Sequence, residues 1–365
     1  MPKVCFTDMR TDHRNNLIEK TKRLFLKAGF ASLIDKGDLV AIKLHWGEPG
    51  NLAYINPPLV RAIVDEIKKA GGKPFITDAN TLYNGRRRNA VDNIQSALEN
   101  GFAYATVGAP VVVADGLHGE NMIKVPLNNG IRVKEAAIAG SIVEADAIIC
   151  LSHVKGHELF GFGGALKNMG MGCAAPAGKQ VLHSDVLPEV NHEICVGCGI
   201  CSKRCPVSAI TITERKANID HKICYGCGEC VTFCPHGAIP INWKTDQAAC
   251  QEKTAEYAYA ATLNKLNKVG YINFIKDVSP DCDCAPWNDT PIVPNLGLLA
   301  STDPVAVDQA SLDLIAQAPA LPNSRLPEKG AGERFSLLHG VDTSIILSHG
   351  EKIGLGKREY QLQKI

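Results

Sequence analysis

Eight cysteines lie close together in the middle of the chain, in two copies of one spacing. The first copy is "CVGCGICSKRCP" and the second is "CYGCGECVTFCP", and both follow C-x2-C-x2-C-x3-C-P. In this spacing three thiolates hold one iron–sulfur cubane and the fourth cysteine ligates the cluster of the other copy. The pattern therefore predicts two [4Fe–4S] clusters. The ligands would be Cys195, Cys198, Cys201 and Cys234 for the first, and Cys224, Cys227, Cys230 and Cys205 for the second.

Zinc is the alternative, because paired C-x2-C motifs also form zinc sites. A tetrahedral zinc site needs four such ligands, but not a third cysteine and a proline at the same short spacing, twice over. Both fourth cysteines are present and no aspartate replaces a second cysteine, which favours [4Fe–4S] over [3Fe–4S]. Two coupled clusters usually transfer electrons, although clusters that only support the fold remain an alternative.

A second group of reactive residue types follows the ends of three apolar segments. "AIKL" runs into His45-Trp46-Gly47-Glu48, "FIT" into Asp78 and Asn80, and "IICL" into Ser152 and His153. Ligands of open α/β sheets bind beyond the carboxyl ends of the strands. The third segment continues into a glycine-rich, basic loop that can bind an anion or polarise a carbonyl. Its candidate catalytic residues are His153, Lys155, His157, Lys167 and Asn168, whereas a lone His45 or Asp78 also fits a loop or capping role.

Six further cysteines are scattered along the chain. Cys173 ends the glycine-rich loop, and Cys282 and Cys284 form "DCDC". These three thiols could complete a third metal site or supply a reactive thiol pair, or they could be unrelated. Cys5, Cys150 and Cys250 are predicted to be ordinary buried small residues.

The elements that position these groups alternate between short apolar strands and amphipathic helices. "DLVAIKL", "KPFITDAN", "PVVVAD", "DAIICLSH" and "YINFIKDV" predict strands, while "NPPLVRAIVDEIKKAGG", "NAVDNIQSALENGF", "TAEYAYAATLNKLNKV" and "DPVAVDQASLDLIAQA" predict helices. This alternation indicates an α/β fold with a largely parallel sheet and flanking helices. "AITITERKANID", between the cysteine motifs, predicts a hairpin. We expect a small α+β ferredoxin-like domain at 188–245, inserted between α/β segments 1–187 and 246–365.

Composition narrows the classes of function. The chain has 365 residues, a net charge of +1 and 45% hydrophobic residues. A near-neutral charge argues against nucleic-acid binding. The sequence contains no run of about 18 apolar residues, so we expect no membrane span. The N-terminus lacks the apolar segment of a signal peptide. We therefore expect a cytoplasmic protein, in which cysteines are metal ligands or reactive thiols rather than disulfides.

Three stretches resemble the domain-of-unknown-function 362 group of iron–sulfur centre proteins. They are "SHVKGHELFGFGGALKNMGMG", "ASTDPVAVDQA" and "CDCAPWNDTP". The resemblance covers nearly the whole chain and implies an α/β domain with clusters, but no particular reaction. It also draws attention to Asp303 and Asp308, although the pattern around Asp303 predicts a helix N-cap followed by proline.

Together these features predict an iron–sulfur electron-transfer protein, or oxidoreductase, from an anaerobe. Electrons would pass between the clusters and a site near His153, and a ferredoxin, flavodoxin or reductase would be the redox partner. The substrate would be a small molecule of unknown identity. The alternatives are a non-enzymatic electron carrier or assembly partner, and a non-redox α/β enzyme with structural or sensing clusters.

Overall fold

The computed structural model describes residues 1–83, 85–265, 267–326 and 332–365. Within these ranges the strands are β1 (Lys3–Asp8), β2 (Leu39–Lys43), β3 (Lys73–Asp78), β4 (Val111–Val113), β5 (Met122–Pro126), β6 (Glu135–Ala139), β7 (Ala147–His153), β8 (Lys155–His157), β9 (Gly161–Gly163), β10 (Ile210–Thr213), β11 (Lys216–Ile219), β12 (Val269–Ile275), β13 (Gly297–Ser301) and β14 (Gln361–Lys364). The helices are α1 (Leu17–Lys27), α2 (Pro57–Lys69), α3 (Ala90–Glu99), α4 (Tyr104–Val107), α5 (Gly140–Glu144), α6 (Ala165–Cys173), α7 (Pro176–His183), α8 (Ile200–Arg204), α9 (Glu229–Thr232), α10 (Gln247–Ala260), α11 (Pro304–Gln317), α12 (Arg334–His339) and α13 (Ser344–Lys352), with a 3-10 turn at Phe30–Leu33.

One mixed sheet forms the centre of the molecule. Its strand order is β14-β1-β13-β12-β7-β2-β3-β4. β13 runs antiparallel to both neighbours, and the other five pairings are parallel. The adjacent strands β12, β7, β2 and β3 therefore end at the same edge of the sheet, which is where the sequence places its polar residues.

Helices cover both faces of this sheet. Cys150 of β7 belongs to the core shared with α6, α10, α11 and α13, whereas its neighbours Ile149 and Leu151 belong to the core shared with α1 and α2. β7 and β12 are buried along their whole length, as expected for strands covered on both sides. The predicted α/β fold with a largely parallel sheet and flanking helices is confirmed.

Most predicted elements form close to the predicted positions. The main difference is α10, which begins at Gln247, where the side chain of Asp246 accepts a hydrogen bond from the backbone N–H of Ala249, and ends at Ala260. Ten of its fourteen residues are buried because it packs between α6 and α13, so it lacks a polar face that would mark its ends. Three neighbouring strands on one side of the sheet, β14, β1 and β13, were not predicted.

The cysteine-rich segment forms a compact unit of its own around a small apolar core. β10 and β11 form the predicted hairpin, whose turn residues Glu214 and Arg215 both have positive φ, as a two-residue type I′ turn requires. Gly197 lies against this turn: a Cβ there would come within 2.4 Å of the Arg215 carbonyl oxygen. No side chain larger than hydrogen fits, so the first cysteine loop can lie directly on the hairpin.

The two ends of this segment meet where they join the α/β layers. The backbone N–H of Asp185 donates to the Lys244 carbonyl at 3.0 Å. The Asp185 carboxylate accepts from Thr245 at 2.7 Å and from the backbone of Asp246 at 2.9 Å, and it pairs with Lys253 at 2.8 Å. The segment thus leaves and re-enters the main fold at one point.

Among the helices of the described residues, none combines the length and the apolar character that a membrane-spanning helix needs.

Candidate functional site

A cavity of about 370 Å³ lies at the carboxyl edge of the central strands. Lys43 ends β2 and His45 follows it, Asp78 ends β3, and Lys155 and His157 follow β7; all five line the cavity. These are three neighbouring parallel strands, so their ends converge on one place, as the fold class predicts.

One wall of the cavity is a network of buried charges. The Lys43 ammonium lies 2.9 Å from Asp78, and Arg87 lies 3.2 Å from the same carboxylate and 2.7 Å from Glu48. The Tyr83 hydroxyl donates to Glu48 at 2.9 Å and accepts from Arg87 at 2.8 Å. Because every charge has a partner, the wall is held rigidly and adds little net charge to the cavity.

His153 lies behind the cavity lining rather than in it. Its Nδ1 lies 2.9 Å from the buried Asp283 carboxylate, and its Nε2 lies 2.9 Å from the Lys276 carbonyl oxygen. Both ring nitrogens face oxygen atoms, which fixes the orientation of the ring. Lys155 pairs with the same carboxylate at 3.0 Å. Burial alone would raise the pKa of Asp283, but His153 and Lys155 outweigh it and hold that pKa far below its usual range. These contacts fix the loop that carries Cys282 and Cys284.

Another part of the cavity wall brings together residues from two distant parts of the chain. His157, Cys282 and Cys284 place their ligand atoms within 4.8 Å of one another, which is close enough for one metal ion. The Lys167 ammonium lies 3.5 Å from the Cys282 sulfur, and the backbone N–H of Cys284 donates to the same sulfur at 3.4 Å. The pKa of the Cys282 thiol is held well below its usual value, first by the hydrogen bond from Cys284 and then by the charge of Lys167 and the hydrogen bond from His157.

Cys173 is not part of this group. Within the described residues, His157 takes the place that the sequence analysis offered to Cys173. Cys173 lies in α6 with its thiol directed toward the Asn168 carbonyl, and burial raises its pKa to about 12. Spacing alone could not distinguish the two, because Cys173 and His157 both lie more than 100 residues before Cys282. Cys5, Cys150 and Cys250 are buried, as predicted.

α6 carries Lys167 and Asn168 and is anchored by Asp308. The Asp308 carboxylate accepts the first backbone N–H groups of α6, from Ala165 at 2.7 Å and from Leu166 at 2.9 Å. A Cβ at Gly164 would lie 2.3 Å from this carboxylate, so only glycine fits there. Asn168 then accepts from the Lys43 ammonium at 2.6 Å. Asp308 therefore positions the helix without lining the cavity, whereas Asp303 is the predicted N-cap of α11, accepting from Ala306 at 2.8 Å.

The eight motif cysteines separate into two groups of four, each lining its own cavity. One cavity is lined by Cys195, Cys198, Cys201 and Cys234, and the other by Cys205, Cys224, Cys227 and Cys230. Each group takes three cysteines from one copy of the motif and the last cysteine from the other copy. This is the exchange that the spacing predicts for paired cubanes.

Three of these sulfur atoms accept hydrogen bonds from the backbone. Backbone N–H groups donate to three of them: Ala209 to Cys205 at 3.2 Å, Ala217 to Cys195 at 3.4 Å, and Ala238 to Cys234 at 3.3 Å. Such hydrogen bonds stabilise thiolates and tune the potential of an iron–sulfur centre.

The spacing of the sulfur atoms is wider than one zinc ion would require. Two sulfur ligands of one zinc ion cannot lie farther apart than about 4.6 Å, twice the zinc–sulfur bond. In the described part of the chain, the set of three or more ligand atoms within 4.8 Å of one another is His157, Cys282 and Cys284, and it contains none of the eight motif cysteines. Within the described residues, no three of the motif sulfurs are therefore close enough to ligate one zinc ion as they stand.

One helix, α7, separates the second cysteine group from the large cavity. Its outer face contacts the cysteine loop, since a Cβ at Gly228 would lie 2.8 Å from the Ala177 carbonyl oxygen and 2.7 Å from Gln180 Cβ. Its inner face carries Lys179 and His183, which line the cavity. Burial lowers the pKa of Lys179 to about 8 and that of His183 to about 3. The two sites are therefore one helix apart, roughly 10 Å.

One family model matches most of this chain. The family model "Domain of unknown function (DUF362)" matches residues 40–313, which contain the cavity, α7 and both cysteine motifs. The chain belongs to the DUF362 family. The fourteen cysteines and the group at His157 are compatible with metal binding in this family member.

Individual relatives are more distant. A thylakoid-associated protein of Synechocystis sp. is 24% identical over 166 residues, which are 45% of this chain and 47% of that protein, so the match spans about half of the relative's length. The lactate racemase apoprotein of Thermoanaerobacterium thermosaccharolyticum has a TM-score of 0.41 at 15% identity, covering 86% of this chain and 57% of that one. A protein of Thermotoga maritima has a TM-score of 0.42 at 10% identity, covering 84% and 61%. Both TM-scores lie below 0.5, so neither likeness supports an inference about this chain.

Several lining residues escaped the sequence analysis. Lys43 had a visible signal, because it is a charged residue at the end of the otherwise apolar run "LVAIK". Arg87 had no such signal in the sequence, because the surrounding "GRRRN" is typical of an exposed loop. In the structure, however, the Arg87 side chain is only 3% exposed. Lys179 and His183 belong to a helix whose inner face is defined only once the cysteine segment covers its outer face.

Proposed function

We propose that this protein binds two [4Fe–4S] clusters and transfers electrons to or from a small anionic molecule in the large cavity. The observation that carries the proposal is the lining of two separate cavities by four cysteines each, with the fourth exchanged between the motifs. A chain that needed the cysteines only as scattered buried thiols would have no reason for that exchange.

The cluster ligands would be Cys195, Cys198, Cys201 and Cys234, and Cys224, Cys227, Cys230 and Cys205. When bound, each cluster would accept or release one electron at a time. The chain contributes the N–H groups that face the sulfurs, and the glycine turns that let the loops close around them. The predicted division into 1–187, 188–245 and 246–365 belongs to this proposal.

The preference for an anion rests on Lys167. Within the described residues this lysine makes no salt bridge with a carboxylate, whereas Lys43, Arg87 and Lys155 are all paired. Its ammonium lies against the Cys282 sulfur and 5.5 Å from the centre of the Phe160 ring, at the cavity wall. An ammonium without a carboxylate partner at the wall of a cavity attracts a carboxylate or phosphate group.

His45 would supply a hydrogen-bond donor next to that anion. Burial, and then the charges of Arg87 and Lys155, hold the pKa of His45 well below its usual value, so the ring is neutral. Its Nδ1 accepts the backbone N–H of Gly47 at 3.0 Å, which places the ring proton on Nε2. The residue thus provides one oriented N–H donor in the cavity.

A redox partner would dock where the cysteine loops meet the surface. Cys198 is exposed, and exposed apolar side chains surround the two loops. They include Ile194, Val196, Ile200, Val207, Ile212, Ile223 and Tyr225. An exposed apolar patch of this kind is typical of a protein–protein contact, and it fits a small electron-carrier protein.

The test is metal and acid-labile sulfide analysis of anaerobically purified protein, followed by electron paramagnetic resonance after reduction. We expect eight irons per chain, and signals from two interacting clusters. Cys201→Ser should lose about half of the iron, whereas Cys250→Ser, a buried cysteine outside both groups, should keep it. Stoichiometric zinc without iron, or clusters that do not cycle with dithionite, would refute the electron-transfer function.

A further inference from the structure

Two thiols stand side by side in the wall of the large cavity. The sulfurs of Cys282 and Cys284 lie within 4.8 Å of each other, and both residues line the cavity. They belong to a C-x-C segment, so rotation of the two side chains can bring the sulfurs into bonding distance. Asp283, between the two cysteines, is fully buried and contacts His153 and Lys155, which holds the pair in place.

The two sulfurs have different surroundings. Cys282 accepts from the Cys284 backbone N–H at 3.4 Å and from the Lys167 ammonium at 3.5 Å, and it also forms a hydrogen bond with the His157 ring. These donors stabilise a thiolate at Cys282. Cys284 hydrogen-bonds to that sulfur, and this bond together with burial raises its pKa well above the usual value. One sulfur is thus suited to attack and the other to remain protonated until needed.

The detailed contacts favour a thiol pair over a metal centre at this place. His157 Nδ1 accepts the backbone N–H of Leu159 at 3.1 Å, so the proton of the neutral ring lies on Nε2. A metal ligand would need that nitrogen free of its proton. The Lys167 ammonium, 3.5 Å from the Cys282 sulfur, would in addition repel a bound cation.

We propose that Cys282 and Cys284 form a redox-active dithiol that exchanges with a small disulfide carrying carboxylate groups. The Cys282 thiolate attacks one sulfur of the disulfide, forming a mixed disulfide and releasing the first thiolate. The Cys284 thiol then gives up its proton and attacks Cys282, forming the Cys282–Cys284 disulfide, and the proton goes to the second released sulfur. Two electrons pass from the pair to the substrate, and exchange with an external dithiol restores the pair.

This inference deepens the proposed function, because it supplies a two-electron group in the same cavity. It rests on the proposed function only for its place beside the clusters. The thiol chemistry itself depends on the chain alone, so a protein without clusters and a protein without a reactive pair give different results.

The test uses the full-length protein, purified anaerobically, with oxidised glutathione as the probe. Free thiols are blocked after the reaction, and the tryptic peptide 277–325, which contains Cys282 and Cys284 and no other cysteine, is weighed by mass spectrometry. In the wild-type protein this peptide should become lighter by the mass of two hydrogens, because a Cys282–Cys284 disulfide forms, and dithiothreitol should restore the original mass. Cys284→Ser should stop at one glutathione on Cys282, and Cys282→Ser should show no adduct.

Two further variants separate the pair from its surroundings. Lys167→Gln should slow adduct formation about tenfold or more, because a hydrogen bond to a charged group is lost, and Lys167→Arg should recover most of the rate. Cys173→Ala, which removes a nearby buried thiol outside the pair, should react like wild type.

Three results would overturn the inference. The first is a wild-type peptide that keeps both thiols, and the second is a Cys284→Ser protein without adduct. The third is about one zinc per chain that is lost in Cys282→Ser but kept in Cys173→Ala. Iron is measured in each sample, so a failure of cluster binding is recorded separately from a failure of the thiol pair.

Discussion

Replacing Gly228 by alanine tests whether the second cysteine loop is seated on α7. Gly199 and Gly228 occupy equivalent places in the two motifs, each preceding a short helix with φ of +76°. A Cβ at Gly199 meets nothing within 4 Å, whereas a Cβ at Gly228 would lie 2.7 Å from Gln180 Cβ and 2.8 Å from the Ala177 carbonyl oxygen. The two substitutions share the backbone strain and differ in the contact with α7.

The expected magnitudes follow from these two contributions. A left-handed conformation costs a residue with a Cβ about 1–2 kcal/mol, and forcing a methyl group into a packed contact costs about 1–3 kcal/mol more. Gly199→Ala should therefore destabilise by about 1–2 kcal/mol and Gly228→Ala by about 2–5 kcal/mol. With an unfolding entropy of about 2.1 cal/mol/K per residue, each kcal/mol lowers the Tm of a 365-residue chain by about 1.3 °C.

The assay is thermal unfolding of both variants and wild type under anaerobic conditions, with iron content measured beforehand. The difference in Tm between the variants, about 1–4 °C, isolates the contact with α7. Because the inner face of α7 lines the cavity, Gly228→Ala should also change how the cavity binds an anion, and Gly199→Ala should not. Equal Tm losses in the two variants would show that the loop does not rest on α7.

Three other perturbations test the buried charges. Burial raises the pKa of Asp308 to about 6, so between pH 4 and pH 6 the folded chain holds a proton that the unfolded chain has released. The free energy of unfolding should therefore fall by up to about 3 kcal/mol as the pH rises from about 4 to about 6, and urea unfolding of Asp308→Asn should not show this dependence on pH. Lys43→Met removes one of the two cationic partners of Asp78 and leaves Arg87, so it should lower the urea-unfolding free energy by about 1.5–3 kcal/mol. Lys22→Met, at the exposed pair with Glu19, should change it by less than about 1 kcal/mol. Glu256 accepts hydrogen bonds from three backbone N–H groups and from His349; burial raises the pKa of its carboxyl group, but these hydrogen bonds outweigh burial and lower that pKa. The stability that they give above about pH 4.5 should be lost as the pH falls, and the Tm of Glu256→Gln should depend less on acid pH than that of the wild type.

The sequence predicted best where function depends on local spacing. The grouping of the motif cysteines follows from short intervals such as Cys195 to Cys205, because a chain that wraps a cubane has few ways to place its sulfurs. Strand and helix periodicity likewise located β2, β3 and β7, and with them the edge of the sheet that holds the cavity.

It predicted least where two distant segments meet. His157 and Cys282 are 125 residues apart, and their contact depends on β12 lying beside β7, which no local pattern states. Asp283 would be taken for an exposed residue of an acidic loop, yet it is fully buried because Lys155 and His153 come from the neighbouring strand end. β13 has no local signal for its antiparallel direction, because a buried strand of five apolar and small residues fits either direction.

The junction at Asp185 has a consequence for how such a chain can arise. Since Asp185 and Lys244 are hydrogen-bonded neighbours, the cysteine-rich segment leaves and rejoins the main fold at one place, and ion pairs such as Lys124–Glu229 then hold it against the α/β layers. The entropy of closing a loop rises only slowly with its length, so inserting a segment whose two ends meet costs the main fold little chain entropy. Because the two ends already meet, the segment could be joined to another scaffold wherever two backbone positions lie as close together as Asp185 and Lys244 do here.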